Sequence, residues 1–106
     1  MTTSKLSGGQ KRYLRGLAHG LKPIVRIGKS GLTDGLLANL DQALDAHELV
    51  KVRLGDSKEL RQELSEQIGA RLGAVQVGAV GHVAIFYRQA ADPGRRVIEL
   101  PGRPEA

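Results

Sequence analysis

Gly28, Lys29, Ser30 and Gly31 are the residues of this chain whose types and spacing point most directly to chemistry. A glycine at each end lets the backbone turn sharply and approach a ligand with no Cβ in the way. The β-branched run Pro23-Ile24-Val25-Arg26-Ile27 precedes the loop, and an apolar series of helical period follows it. The loop therefore delivers the chain to a helix N-terminus, where free N–H groups and the positive end of the dipole attract anions. Lys29 adds a cation at the tip.

The same G-x-x-G logic clamps nucleotide backbone in KH domains, although a plain connector between strand and helix has the same spacing. A nucleotide-binding P-loop fits poorly, because G-x-x-x-x-G-K-S needs glycine where this chain has Pro23. His19, His47 and His82 fall on three separate elements without metal-ligand spacing, so neither a metal nor a catalytic constellation is expected. Asp41, Asp45, Glu59, Glu63 and Glu66 recur at helical spacing, the pattern of a solvated helix face. Ser30 has no base near it in sequence to activate it. With no cysteine, thiolate chemistry and disulfides are excluded, and a reducing cytoplasm is the expected compartment. Tyr13, Phe86 and Tyr87 are the only aromatics, and the last two alternate across a strand, so a base-stacking sheet is not expected.

The elements that must position the loop are legible from caps and periods. Ser7 with Gln10 forms a capping box ahead of a helix whose apolar face carries Leu14, Leu17, Ala18 and Leu21. Lys11, Arg12, Arg15 and His19 then fall on the opposite arc. Thr33 caps a second helix carrying Leu36, Leu40 and Leu44, and Asp56 or Ser57 caps a third with Leu60, Leu64, Ile68 and Leu72 inside and Gly73 at its end. Leu49 to Leu54 alternates as a half-buried strand. Ala74–Val80 and His82–Arg88 must form a hairpin through Gly81-His82, and Val97–Leu100 reads as a further edge strand after the Asp92-Pro93-Gly94 turn. The order α-β-α-β-α-β-β implies a two-layer α/β or α+β domain with a mixed sheet, because crossovers need parallel neighbours and the hairpin an antiparallel pair.

A chain of 106 residues suits one domain, expected over residues 1–101 with a tail at 102–106. Its longest apolar runs are far too short to cross a bilayer, so no membrane association is expected. The net charge of +5 is unevenly placed. The first 33 residues hold seven cations and no carboxylate, whereas the remainder holds nine cations against eleven carboxylates. Unneutralised charge of that density calls for nucleic acid or an anionic surface as partner, and bound RNA would be met mostly at its phosphates by the first helix and the glycine loop.

Leu17-Ala18-His19, Leu21-Lys22-Pro23-Ile24-Val25, Ile27 through Gly35, and Ala43-Leu44 with His47-Glu48-Leu49-Val50-Lys51-Val52 strongly resemble the CRM domain, in its single-domain bacterial YhbY-like form. Val75-Gln76-Val77 and Tyr87-Arg88 also match. The resemblance implies a four-stranded mixed sheet similar to the C-terminal domain of translation initiation factor three. It also implies RNA binding without catalysis, in association with precursor large-subunit ribosomal RNA, and a monomer without cofactor is expected. Its G-x-x-G loop maps onto Gly28, Lys29, Ser30 and Gly31, and its basic face onto Lys11, Arg12, Arg15, Lys22 and Lys51. The small residues Gly78-Ala79-Val80-Gly81 depart from the pattern, and Arg95-Arg96 has no assigned role. A protein–protein adaptor using the acidic helix faces is the alternative, with an NTP-binding enzyme more distant.

Overall fold

The computed structural model describes residues 6–28 and 31–100. The expected tail at 102–106 and the loop tip, Lys29 and Ser30, lie outside the described residues. The elements run α1 (Gly8–Ala18), β1 (Val25–Arg26), α2 (Asp34–His47), β2 (Leu49–Arg53), α3 (Lys58–Leu72), β3 (Val75–Val80) and β4 (Val83–Tyr87), followed by a 3-10 turn at Pro93–Arg95. The strands form one mixed sheet in the order β1-β2-β4-β3, parallel between β1 and β2 and antiparallel elsewhere. This is the expected α+β class.

The local signals act where expected. Ser7 and Gln10 exchange both bonds of a capping box, Thr33 Oγ1 accepts from the Leu36 amide, and Ser57 Oγ accepts from the Leu60 amide. Gly73 and Gly81 take positive φ, ending α3 and turning the hairpin.

The layering differs from expectation. Helices cover both faces of the sheet, because the central strands alternate between two apolar clusters. Val50, Val52, Ala84 and Phe86 pack with Leu40 and Leu44 of α2 and with Leu64 and Ile68 of α3. Leu49, Ile85 and Tyr87 pack on the other face with Val77 of β3 and with Leu14 and Ala18 of α1. A strand buried on both faces loses the clean alternation that marks a two-layer sheet. Burial pushes the Tyr87 phenol up to about 12, with the nearby Glu48 carboxylate reinforcing the shift and Arg96 and Gln89 opposing it.

The α1 stripe is narrower than the expected apolar face. Leu14 and Ala18 are fully buried, while Leu17 and Leu21 remain 40% and 43% exposed. Lys11, one turn before Leu14, is consequently half-buried rather than on the far arc. Leu60 is likewise 47% exposed, leaving Leu64 and Ile68 as the buried apolar positions of α3 beside the buried Ser65.

Two further expectations change. β1 is only two residues long, although the Ile24 and Ile27 amides extend its hydrogen bonding to the Lys51 and Arg53 carbonyls at 3.0 and 2.9 Å. Val97–Leu100 forms no strand. The Val97 and Ile98 amides donate instead to Oε1 of Glu48, both at 2.9 Å, and the Ala90 amide donates to Oε2 at 2.6 Å. Glu48 is completely buried and sits in the left-handed region, φ 65°, as the C-cap of α2. A carboxylate that receives three amides replaces the sheet edge those amides would otherwise have sought.

Candidate nucleic-acid interface

The glycine loop leaves the end of β1 and closes on itself, the Gly31 amide donating to the Gly28 carbonyl at 3.0 Å. Gly31 takes φ 72°, the left-handed conformation that glycine adopts without strain. Gly28 is exposed. The helix terminus behind the loop is partly satisfied already, since Thr33 takes the Leu36 amide and Asp34 places a carboxylate in the first turn. An anion at this loop therefore depends more on the loop backbone and nearby cations than on the α2 dipole.

Those cations come from the β1–β2 pair. The parallel register sets Arg26 opposite Arg53, and both side chains are exposed. Arg53 shares a strand face with Leu49 and Lys51, the face that carries α1, whereas Val25 packs into the α2–α3 cluster. Lys22, Arg26 and Arg53 line an open cleft of about 430 Å³ beside β1 that no carboxylate lines. The ion pairs among the described residues involve His82–Asp56, Arg88–Asp41 and Arg88–Asp45, so none of the three cleft cations is paired to a carboxylate. The Arg26–Arg53 pairing was not assigned from sequence, because neighbours on adjacent strands become visible only once the register is known.

Two expected contact residues also hold the fold. Lys51 Nζ donates to the Leu21 carbonyl at 2.9 Å, tying the α1–β1 connection to β2. Arg15 Nη1 donates to the Val77 carbonyl at 2.8 Å, where β3 bulges between Gln76 and Gly78. A Cβ on Gly78 would lie 2.5 Å from Arg15 Cδ, so the small residue is what admits the arginine stem. The glycine at position 78 thus has a packing cause. Arg15→Ala is expected to cost about 1–2 kcal/mol through the lost bond and stem packing, measured by urea unfolding. An unchanged midpoint would return Arg15 to a purely surface role. Arg12 stays exposed and unpaired to any carboxylate among the described residues.

Arg88 is a structural staple at the opposite end. Its guanidinium, 18% exposed, reaches Asp41 Oδ1 at 2.7 Å, Asp45 Oδ1 at 2.9 Å and the Leu72 carbonyl at 2.9 Å. Two carboxylates expected to be merely solvated are therefore engaged, and their i, i+4 spacing was the available signal. Among the described residues, no group of three or more His, Cys, Asp or Glu could hold a metal ion, and no helix is long and apolar enough to cross a membrane.

A three-helix, four-stranded mixed α+β domain with a glycine loop on a cation-lined strand pair is the class these features define. The chain belongs to the CRS1/YhbY (CRM) domain family, whose model matches residues 6–88. It is 43% identical over 102 residues to an RNA-binding protein of Haemophilus influenzae, covering 95% of this chain and 98% of the relative. It is 36% identical to the probable RNA-binding protein YqeI of Bacillus subtilis, with 91% and 99% covered. The solution structure of a hypothetical protein from Staphylococcus aureus superimposes with a TM-score of 0.77 at 35% identity, covering 92% of this chain and all of that one.

Proposed function

We propose that this protein binds RNA without catalysis, as a monomeric single domain over residues 1–101 acting in the cytoplasm on precursor large-subunit ribosomal RNA during ribosome assembly. The observation that carries RNA binding is the cation-lined, carboxylate-free strand pair leading into the glycine loop, in a family whose relatives are named RNA-binding proteins. Arg26, Arg53, Lys22 and Arg12 contact phosphates, and Gly28, Lys29, Ser30 and Gly31 receive the backbone at the loop. Lys51 lies beside this surface with its charged end held by the Leu21 carbonyl, whereas Arg15 is held at β3 on the far edge of the sheet. The adaptor reading is weaker, because Arg88 occupies Asp41 and Asp45.

The test is the salt dependence of binding to a ribosomal RNA fragment. About five phosphate contacts to looped or single-stranded RNA give a log–log slope near −3 to −4. A slope near zero would remove electrostatic docking. Equal affinity for ribosomal and unrelated RNAs would leave RNA binding in place and remove the ribosomal assignment.

A further inference from the structure

Four of the exposed large hydrophobic side chains, Leu17, Leu21, Ile24 and Val97, converge on one groove between the end of α1, the β1 approach and the segment after the 3-10 turn. It has a volume of about 430 Å³, within the range of small-ligand sites, and no carboxylate lines it. Lys22 and Ile24 line both this groove and the cationic cleft beside β1. The two surfaces are therefore adjacent along one strand. From Ile24 to Gly28 the extended chain covers about 13 Å, running from the groove past Arg26 to the glycine loop.

A ligand filling both must present an apolar group and an anion on one short covalent unit. An unstacked nucleotide does so, with its base and phosphate joined through a sugar. A regular duplex does not, because its bases are stacked and paired inside the helix and it offers the cleft only phosphates. We propose that the groove receives the base of an unstacked nucleotide while Lys22, Arg26 and Arg53 hold its flanking phosphates. This rests on the RNA-binding reading and specifies the RNA feature that is recognised. The groove wall is mostly aliphatic, with Lys22, His47 and Lys51 as its polar members, so it takes a base chiefly by packing.

The experiment compares two RNA hairpins that differ by a single bulged nucleotide in the stem, bound by the wild-type protein and by Leu21→Ser/Ile24→Ser. Wild-type protein is expected to favour the bulged hairpin by about 5- to 10-fold, the low end of what a base stacked on an aromatic side chain contributes, because this wall is mostly aliphatic. The double variant is expected to lose that preference while keeping its affinity for the uninterrupted stem and its salt slope. Leu21→Met/Ile24→Val, which preserves the apolar wall, is expected to retain the preference and guards against a folding artefact. Equal wild-type affinity for both hairpins, or a preference that survives in the serine variant, would overturn the inference and leave RNA binding intact. Failure of both hairpins to bind would remove the RNA-binding reading itself. Competition by an acidic peptide at the groove, with no preference between hairpins, would reassign the groove to a protein partner.

Discussion

Glu48→Ala is expected to lower the free energy of unfolding by about 3–5 kcal/mol, a large fraction of the stability of a domain this size. The carboxylate is fully buried and accepts the amides of Ala90, Val97 and Ile98. Removing it leaves three donors with no acceptor, each costing about 1–3 kcal/mol if it stays dry. The backbone offers no relief, because alanine is as poorly suited as glutamate to the left-handed φ of 65°. Glu48→Gln should fall between, since one carbonyl oxygen can replace one carboxylate oxygen while the amide nitrogen faces a donor. Urea midpoints give the ranking, and hydrogen exchange locates the effect. The Ala90, Val97 and Ile98 amides should lose protection in the alanine variant before the β2–β4 amides do. Unchanged stability with these amides still protected would show that the segment after β4 is held by other contacts.

Glu48 also shows where sequence reading stops. Ser7, Thr33, Ser57 and Gly73 act within a few residues of their own position, so the cap chemistry that marks them in sequence is the chemistry the structure uses. Glu48 acts across about 50 residues of chain, and nothing around His47-Glu48-Leu49 names its partners. The available signal was a charged residue at a helix-to-strand junction with no intervening loop, where a side chain is apt to be drawn inside. Arg15 and Arg88 were obscure for the same reason, one meeting a β-bulge 62 positions away and the other meeting α2 47 positions away. Sheet composition was legible from the hairpin and the crossovers. The second helical layer was not, because Leu49 reads as the outer face of a half-buried strand until α1 is seen to cover it together with Ile85 and Tyr87.

The candidate interface divides along the same line. Its glycine loop is a contiguous motif legible in the sequence, whereas the Arg26–Arg53 pair exists only through the parallel register of β1 and β2. Charge reversal at that pair, Arg26→Glu/Arg53→Glu, is expected to weaken RNA binding by at least 100-fold at moderate salt. Two phosphate contacts are lost, and two carboxylates are placed where the backbone should lie, so repulsion adds to the missing attraction. Two missing contacts alone should flatten the log–log salt slope by about 1.4 on the single-strand scale. Both side chains are exposed and neither forms an ion pair among the described residues, so circular dichroism and the unfolding midpoint should change little. The control is Lys58→Glu/Arg71→Glu on α3, which makes the same change in net charge on the helix packed against the opposite sheet face. If electrostatic attraction were spread over the whole molecule, the two double variants would bind equally weakly. A local docking face requires the α3 variant to stay within a few fold of wild type while the β1–β2 variant fails, and wild-type affinity from a folded Arg26→Glu/Arg53→Glu protein would move the RNA off this strand pair altogether.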